Sequence, residues 1–162
     1  MNVQKLQEDL KIDEGIIYRV YLDHLGYPTF GIGHLITESD PEHGMDVDTP
    51  VSPDRVDAAF EADVESVIKD CKRLYDQWEE LPEQVQLIIA NMMFNMGYTR
   101  LSKFKGMKAG VDNCDWKRAA EEMVDSRWYE QVTTRAERLV TKMRLINSHD
   151  IYLDRPPTNW SI

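Results

Sequence analysis

The amino-acid sequence predicts an α+β fold, in which a small N-terminal antiparallel β-sheet lobe is joined by a long helix to a larger helical C-terminal lobe. Residues 16–33 are rich in β-branched and aromatic side chains and are interrupted by the turn Asp23-His24-Leu25-Gly26, which is typical of a hairpin. Apolar side chains then recur at helical spacing from Val56 to Cys71. Residues 85–96 are apolar nearly all round, so a helix there must be buried in a core.

Length and composition favour one soluble globular domain over residues 1–162. The chain is 42% hydrophobic and 30% charged, and it contains no apolar run of the ~20 residues that a membrane helix needs. Its formal charge of −10 argues against nucleic-acid binding, which depends on neutralising phosphates. Acidic residues near the N-terminus are unlike a secretion signal, and Cys71 and Cys114 are expected to be free thiols.

The N-terminal lobe is expected to begin with a short helix. Val3, Leu6 and Leu10 have helical spacing, and Gly15 is suited to the left-handed cap after a helix that ends at Asp13-Glu14. Two strands are predicted after it, over residues 16–21 and 27–33. Pro28 in the second strand requires an edge position, because proline cannot donate a hydrogen bond to a neighbouring strand.

Helices are predicted to follow an acidic surface loop over residues 38–50. Ser52-Pro53 is an N-cap followed by proline at the first helical position, which begins the long helix. A buried helix is expected from Pro82 to Gly97. Further helical segments are predicted over residues 116–128 and 134–146, and Asp154-Arg155-Pro156-Pro157 ends the ordered pattern.

Two carboxyl groups are candidates for chemistry. Glu14 at a helix end and Asp23 in the hairpin turn are predicted to face each other across a cleft, as glycoside hydrolysis requires of its acid and its base. The negative end of the helix dipole and the neighbouring isoleucines favour a protonated Glu14, whereas an open turn favours an ionised Asp23. Taken alone, two acids among 29 are far more typical of a solvated surface than of a catalytic pair.

Several motifs, in the same order along the chain, make the pattern more specific. The segment Asp13-Glu14-Gly15, then Asp23, then Thr29 before Gly31-Ile32-Gly33-His34 resembles the catalytic segment of the T-even phage lysozymes, glycoside hydrolase family 24. The spacing of nine and then six residues from Glu14 to Asp23 to Thr29 matches that family. The resemblance continues through later motifs, which are Phe60-x-x-Asp63-Val64, Asn91-Met92-Met93-Phe94-Asn95-Met96-Gly97, Trp116, and Ser126-Arg127-Trp128-Tyr129-x-Gln131 with Arg135 and Arg138.

The resemblance implies a lysozyme-like fold and an inverting hydrolysis of the β-1,4 bond between N-acetylmuramic acid and N-acetylglucosamine in peptidoglycan. It implies that Glu14 is the general acid and that Asp23 and Thr29 hold the attacking water. Inverting enzymes separate their two carboxyls by roughly 6.5–9.5 Å to admit that water. No metal and no organic cofactor are expected, because proton transfer by carboxyl groups suffices for this reaction.

Further residues receive roles from the same resemblance. Gly33, Leu35, Phe94 and Asn95 fall at substrate-binding positions of the family, although Phe94 is equally suited to a plain core position. Arg135 is expected to pair with Glu14, which favours the ionised form of that acid. His34 and Asp63 are expected to form a structural ion pair. The implied lobes are residues 13–63, and residues 64–162 together with the helix over 1–12.

The chain also departs from the family pattern. Met107 and Glu122 stand where the family has a serine and an asparagine that face the sugar. The segment from Glu38 to Pro50 is shorter and more acidic than its counterpart. Both differences concern the outer parts of the predicted substrate site.

The resulting hypothesis is a monomeric endolysin that acts on bacterial peptidoglycan in host cell lysis and phage release. It is expected to be made in the host cytoplasm and to reach the periplasm through a separate membrane pore protein, without stable membrane insertion and without binding nucleic acid. One alternative is a catalytically silent or virion-associated peptidoglycan-binding module. Another is a purely helical interaction protein, which absence of the hairpin between residues 16 and 34 would favour.

Overall fold

The chain forms one helix, then a small β-sheet, and then a series of helices. The computed structural model describes residues 1–146. Residues 147–162, which include the predicted end of the ordered pattern at 154–157, lie outside the described residues. The elements, in chain order, are α1 (Val3–Glu14), β1 (Ile17–Leu22), β2 (Pro28–Gly31), β3 (His34–Leu35), α2 (Pro53–Leu74), α3 (Glu83–Leu101), α4 (Lys105–Asp112), α5 (Trp116–Val124), α6 (Arg127–Gln131) and α7 (Thr133–Arg144). A short 3₁₀ turn, Trp78–Glu80, precedes α3. The predicted α+β fold is confirmed.

The sheet is antiparallel, with the strands in the order β1-β2-β3. Tyr21 lies opposite Thr29 between β1 and β2, and Thr29 lies opposite Leu35 between β2 and β3. The expectation that Pro28 needs an edge strand was wrong, because the two-residue strand β3 was not predicted and β2 is therefore central. Proline is tolerated there since it is the first residue of its strand.

Helix α1 ends where the sequence places its cap. Leu6 and Leu10 are fully buried, and Gly15 adopts a φ of 70° beyond the last helical residue. The Gly15 amide donates to the Lys11 carbonyl at 3.0 Å, which satisfies one of the carbonyls that a helix C-terminus leaves open. This cap fixes Glu14 at the point where the chain turns toward the sheet.

Helix α2 begins at the predicted proline, and the Ser52 hydroxyl caps it by accepting a hydrogen bond from the Arg55 amide at 3.2 Å. Its apolar stripe is buried as the helical period requires, at Val56, Phe60, Val64, Val67 and Cys71. Burial raises the pKa of the Cys71 thiol to about 12, which keeps it protonated and unreactive.

Helix α3 is the most completely buried element of the C-terminal half. Eight of its residues are buried between Val85 and Met93. Gly97 takes a φ of 79° and breaks the helical path at the predicted end, after which the chain continues helically to Leu101. Only glycine adopts such a backbone conformation without strain.

The remaining helices are shorter than predicted. The segment over residues 116–128 divides into α5 and α6, because Ser126 takes an extended conformation and its hydroxyl accepts from the Tyr129 amide as a new N-cap. Helix α4 was not predicted. It packs closely against α5 at Gly110, where a Cβ would lie 2.8 Å from the Ala119 amide nitrogen.

The described chain forms two compact units, one of residues 3–68 and one of residues 1–2 with residue 69 onward. We call them the sheet unit and the helical unit. Helix α1 belongs to the sheet unit, whereas the implied lobes placed residues 1–12 with the helices. The single-domain assignment and its lobe boundaries stay predictions. Within residues 1–146, every helix is too short or too polar to cross a membrane.

Candidate active site

The peptide groups of Tyr27 connect two of the predicted catalytic residues. The Tyr27 amide donates to Asp23 Oδ1 at 2.8 Å, and the Tyr27 carbonyl accepts from the Thr29 hydroxyl at 2.9 Å. The Leu25 amide also donates to Asp23 Oδ1, at 2.9 Å. The hairpin turn therefore fixes the Asp23 carboxyl and the Thr29 hydroxyl relative to each other, through a backbone that folds around the side chain of Asp23.

The orientation of both groups follows from these bonds. Both amide bonds to Asp23 end on Oδ1, and no group among residues 1–146 donates to Oδ2. The Thr29 proton is committed to a carbonyl, so the hydroxyl oxygen keeps its lone pairs for an incoming donor. A water molecule that donates to Oδ2 and to the Thr29 oxygen is the ligand for which this pair is suited.

The carboxyl of Glu14 lies against the backbone of Gly33. A Cβ at position 33 would stand 2.7 Å from Glu14 Oε2 and 3.0 Å from the carboxyl carbon, closer than real contacts allow. Gly33 also has a φ of 61°. Two separate requirements, conformational and steric, therefore select glycine beside the predicted acid.

The phenol of Tyr21 lies close enough to Glu14 and Asp23 for both charges to act on it. Burial is the main cause of the raised pKa of Tyr21, and the negative charges of Glu14 and then Asp23 raise it further. Both predicted carboxyls are thus neighbours of one side chain on β1. The hydroxyl of Tyr21 stays protonated as a result.

A row of side chains crosses the sheet on the face that carries Thr29. Residues directly opposite in antiparallel strands share a face, so Tyr21, Thr29 and Leu35 lie side by side across the three strands. Thr29 is buried at 3% exposure, whereas Leu35 is 49% exposed. Leu35, a predicted substrate-binding residue, is thus an accessible apolar side chain next to the predicted catalytic threonine.

His34 lies between two carboxylates. Its Nδ1 is 2.7 Å from Asp63 Oδ2, and its Nε2 is 2.9 Å from Asp40 Oδ2. The pKa of His34 is raised. Burial is the largest single influence and acts to lower this pKa, but the hydrogen bonds and negative charges of Asp63 and Asp40 together outweigh burial. A protonated ring donates to both carboxylates at once, so His34 joins β3 to α2 and to the acidic loop.

Arg55 extends this cluster. It contacts both oxygens of Glu42 through Nε, at 3.0 and 3.2 Å, and Nη2 lies 3.1 Å from Asp40 Oδ1. Glu42 is buried although residues 38–50 were predicted as a surface loop. The sequence does not reveal that Arg55, 13 residues further along, reaches back to the loop.

The predicted residues of the helical unit are held by their own neighbours. Asn95 Oδ1 accepts from the Trp128 indole at 2.8 Å, which leaves the Asn95 amide protons for another acceptor. Arg135 Nε donates to Asn91 Oδ1 at 2.8 Å. The substrate roles of Phe94 and Asn95, and the pairing of Arg135 with Glu14, stay predictions.

The two departures from the family pattern differ in exposure. Met107 is fully buried in α4, so it contributes to the core. The Glu122 carboxyl of α5 lies against Gly106, so a Cβ at position 106 would collide with both carboxyl oxygens. Position 107 therefore offers no polar group, and position 122 offers an acid.

Three participants were missed by the sequence analysis. Tyr21 lies in β1 two residues before Asp23, which follows the end of that strand, and this closeness in sequence was the available signal. Asn91 is buried at 2% exposure among apolar neighbours in α3, and a buried amide needs a partner. The role of Tyr27 lies in its backbone, which side-chain motifs do not report. No cluster of three potential metal ligands occurs within residues 1–146.

Several known proteins are similar to this chain in sequence. A family model described as phage lysozyme matches residues 11–144. The chain is 30% identical over 158 residues to probable T4-type lysozyme 1 of Dictyostelium discoideum, covering 86% of this chain and 93% of that protein. It is 29% identical, with the same coverage, to probable T4-type lysozyme 2 of that organism.

A third relative is larger. The chain is 30% identical over 165 residues to the pre-baseplate central spike protein Gp5 of Enterobacteria phage T4. The match covers 91% of this chain but 28% of the spike protein.

Proposed function

The chain belongs to the phage lysozyme family, and from this we propose that it is a lysozyme that hydrolyses the β-1,4 bond between N-acetylmuramic acid and N-acetylglucosamine in bacterial peptidoglycan. The observation that carries the proposal is the turn in which Tyr27 holds Asp23 and Thr29 together. An inverting glycosidase requires a carboxylate that activates one water on the far side of the sugar, and the Thr29 hydroxyl beside Asp23 is suited to help hold that water.

The proposed reaction uses Glu14 as the acid. Its proton passes to the glycosidic oxygen as the bond between that oxygen and the anomeric carbon breaks. The contact with Gly33 supports this role, because it limits the positions open to the carboxyl and presents the acid in one place. Exchange with solvent restores the proton after the product leaves.

The water attacks from the other side. Thr29 and Asp23 Oδ2 accept its two protons as hydrogen bonds, and its oxygen forms the new bond to the anomeric carbon. The proton released in this step passes to Asp23. Because the water and the leaving group occupy opposite faces, the anomeric configuration is inverted.

The proposal is tested by clearing of chloroform-permeabilised Gram-negative cells and by analysis of the cleaved wall. Wild type should clear the suspension, whereas Glu14→Gln and Asp23→Asn should lose at least about a hundredfold in rate, the usual contribution of general acid–base catalysis. Glu8→Gln, an exposed acid on the same helix, is the matched control and should retain full activity.

The products identify the bond. After borohydride reduction, the new reducing ends should be muramitol, and an early NMR spectrum should contain the α-anomer. Reduced glucosamine ends, or the β-anomer as first product, would contradict the proposed reaction. Equal clearing by wild type and both variants would reject the catalytic assignment.

The biological role proposed for this activity is that of an endolysin in host cell lysis and phage release. We propose that the monomeric chain accumulates in the host cytoplasm and reaches the peptidoglycan of the periplasm through a separate membrane pore protein. Expression in the cytoplasm should leave cells intact until a pore-forming protein is induced. Lysis without the pore protein would contradict this route.

A virion-associated role is the second candidate, and the similarity to the central spike protein of phage T4 favours it. The two roles differ in where the chain is found. Mass spectrometry of purified phage particles should detect the chain only if it is a virion component, whereas an endolysin remains in the soluble lysate. A wild-type protein that binds sacculi without clearing cells would instead support a catalytically silent module.

A further inference from the structure

Tyr21 occupies a position that the proposed mechanism does not use. It lies directly opposite Thr29 in the antiparallel pair of β1 and β2, and opposed side chains have Cβ atoms about 4.5–5.5 Å apart. Its neighbour Val20 is buried at 1% exposure on the other face of the sheet. The phenol is therefore on the face that carries the proposed water site.

The surroundings of the phenol contain both proposed catalytic acids. The charges of Glu14 and Asp23 act on Tyr21, and burial together with these charges raises the pKa of its hydroxyl. The group remains a neutral donor throughout the range in which proteins are assayed. It presents a proton, without a charge, near the proposed acid Glu14 and near Asp23, which is proposed to orient the water.

The hydroxyl is not used in internal structure. Among residues 1–146, no group forms a hydrogen bond with the Tyr21 hydroxyl, and the side chain is only half-buried. A buried phenol usually finds a partner for its hydroxyl. Because the Tyr21 hydroxyl has no hydrogen-bond partner among the described residues and shares the face of the proposed water site, it is suited to a ligand oxygen.

We propose that Tyr21 is a further substrate-contacting residue, whose hydroxyl donates a hydrogen bond to an oxygen of the sugar bound between Glu14 and Asp23. This inference rests on the proposed lysozyme function. Tyr21 takes no part in proton transfer. It holds the sugar against the row formed with Thr29 and Leu35, so that the anomeric carbon faces the water.

The proposal predicts a particular kinetic signature. A hydrogen bond to an oxygen that does not react is made equally in the ground state and in the transition state, so its loss raises KM and leaves kcat unchanged. Tyr21→Phe retains the ring and removes only the hydroxyl. We expect KM for a soluble peptidoglycan oligosaccharide to rise about five- to tenfold, the effect of one neutral hydrogen bond.

Tyr18→Phe is the matched control, because Tyr18 lies in the same strand and is 49% exposed. Its KM should equal that of wild type. Thermal unfolding of Tyr21→Phe should match wild type, which separates a ligand contact from a structural one. A decrease in kcat at constant KM, or no change in either constant, would overturn the proposal.

Binding without turnover distinguishes this inference from the proposed function. The Glu14→Gln protein and the Glu14→Gln/Tyr21→Phe protein are titrated calorimetrically with the same oligosaccharide. The double variant should bind about five- to tenfold more weakly. Suppose that wild type hydrolyses the oligosaccharide and Glu14→Gln binds it. If Tyr21→Phe then changes neither the KM of wild type nor the affinity of Glu14→Gln, only the role of Tyr21 is wrong. If wild type does not hydrolyse, the proposed function itself fails.

Discussion

Backbone groups of single residues decide where the proposed water is held. Tyr27 supplies the amide that orients Asp23 and the carbonyl that orients Thr29, so these contacts need a backbone N–H at position 27, which every residue except proline provides. Gly26, with a φ of 85°, makes the turn that brings the Tyr27 peptide back toward Asp23. The geometry therefore depends on turn conformation more than on the identity of residue 27.

Gly33 allows a sharp test of how Glu14 is placed. Gly33→Ala introduces left-handed strain of roughly 1–2 kcal/mol and also a methyl group 2.7 Å from Glu14 Oε2, which must move away. Gly44→Ala introduces comparable strain, since Gly44 has a φ of 80°, but its methyl group meets nothing within 4 Å. Urea unfolding and wall clearing measured on both variants separate the two effects.

We expect Gly44→Ala to lose roughly 1–2 kcal/mol of unfolding free energy and to retain its activity. Gly33→Ala should lose more stability than this control and at least about tenfold in kcat, because displacement of the acid by even 1 Å is costly to catalysis. Equal activity in the two variants would show that the position of Glu14 does not depend on the contact with Gly33.

For single residues, the sequence identified candidate side chains but did not predict which residues they form hydrogen bonds with. Glu14, Asp23 and Thr29 are close together in the chain, and the short turn alone limits how far apart Asp23 and Thr29 can lie. The contacts of Arg135 with Asn91 and of Trp128 with Asn95 join residues 44 and 33 positions apart, respectively, so they depend on how helices pack. Spacing along the chain contains no such information.

His34 connects three elements and makes their packing sensitive to pH. Its folded pKa is raised, so its contribution to stability is complete below the unfolded value near 6.5 and is lost as pH rises through the folded pKa. The pKa of Asp40 is lowered. Burial is the largest single influence and acts to raise this pKa, but the hydrogen bonds from Thr37 and His34 and the positive charges of His34 and Arg55 together outweigh burial. Its contribution is complete above about 3.8 and is lost as pH falls through the folded value.

Replacement of the imidazole should remove the alkaline part of this dependence. At pH 6, His34→Asn should lower the unfolding free energy by about 2 kcal/mol, the usual value of hydrogen bonds to a charged group, and the deficit should shrink as pH rises past the folded pKa of His34. His43→Asn changes an exposed histidine of the same acidic loop and should reproduce the wild-type profile. A deficit that stays constant from pH 6 to 9 would contradict a protonated His34.

Arg55 fastens the acidic loop to α2 in a way that lysine cannot reproduce. Its guanidinium contacts Glu42 through two nitrogens and Asp40 through one of them, whereas an ammonium is a single point of donation. Arg55→Lys should therefore lower the unfolding free energy by about 1–3 kcal/mol and accelerate proteolytic cleavage within residues 38–50.

The matched control is Arg19→Lys, which alters an exposed ion pair with Asp48 in the same loop. Exposed pairs contribute about 0–1 kcal/mol, so its stability and cleavage rate should stay near those of wild type. Mass spectrometry of the fragments identifies the site of cleavage. If Arg55→Lys were as resistant to proteolysis as wild type, positive charge alone would be sufficient to hold the loop.

The elements differ in how far their sequences determined them. Helices α1, α2 and α3 combine a long apolar period with a cap or a breaking glycine, and each begins close to its predicted start. Helix α1 also ends as predicted, whereas α3 is broken at Gly97 but continues to Leu101. Strand β3 has two residues, too few for an alternation to be detected. The break between α5 and α6 depends on the Ser126 hydroxyl acting as a cap, which competes with continuation of the helix only in the folded chain.

The distribution of charge over the protein bears on how it meets an anionic wall. The sheet unit, residues 3–68, contains 4 Lys and Arg against 15 Asp and Glu, a formal charge of −11, while the rest of the chain is close to neutral. The predicted acid, the predicted base and the water site all belong to this unit. Long-range repulsion should therefore oppose encounter with anionic peptidoglycan, and the chemistry after binding should be unaffected.

Salt should accelerate wall clearing for this reason. Since the Debye length shrinks from about 30 Å at 0.01 M to about 8 Å at 0.15 M, screening should raise the apparent kcat/KM on cell walls over this range. A short soluble peptidoglycan oligosaccharide, which carries only a few charges, should show a much weaker dependence on salt than the wall does. The combined variant Asp54→Asn/Asp57→Asn removes two exposed charges from α2 and should flatten the dependence on walls. A rate on walls that falls steadily with added salt would mean that a local positive surface, and not the net charge of the sheet unit, governs adsorption.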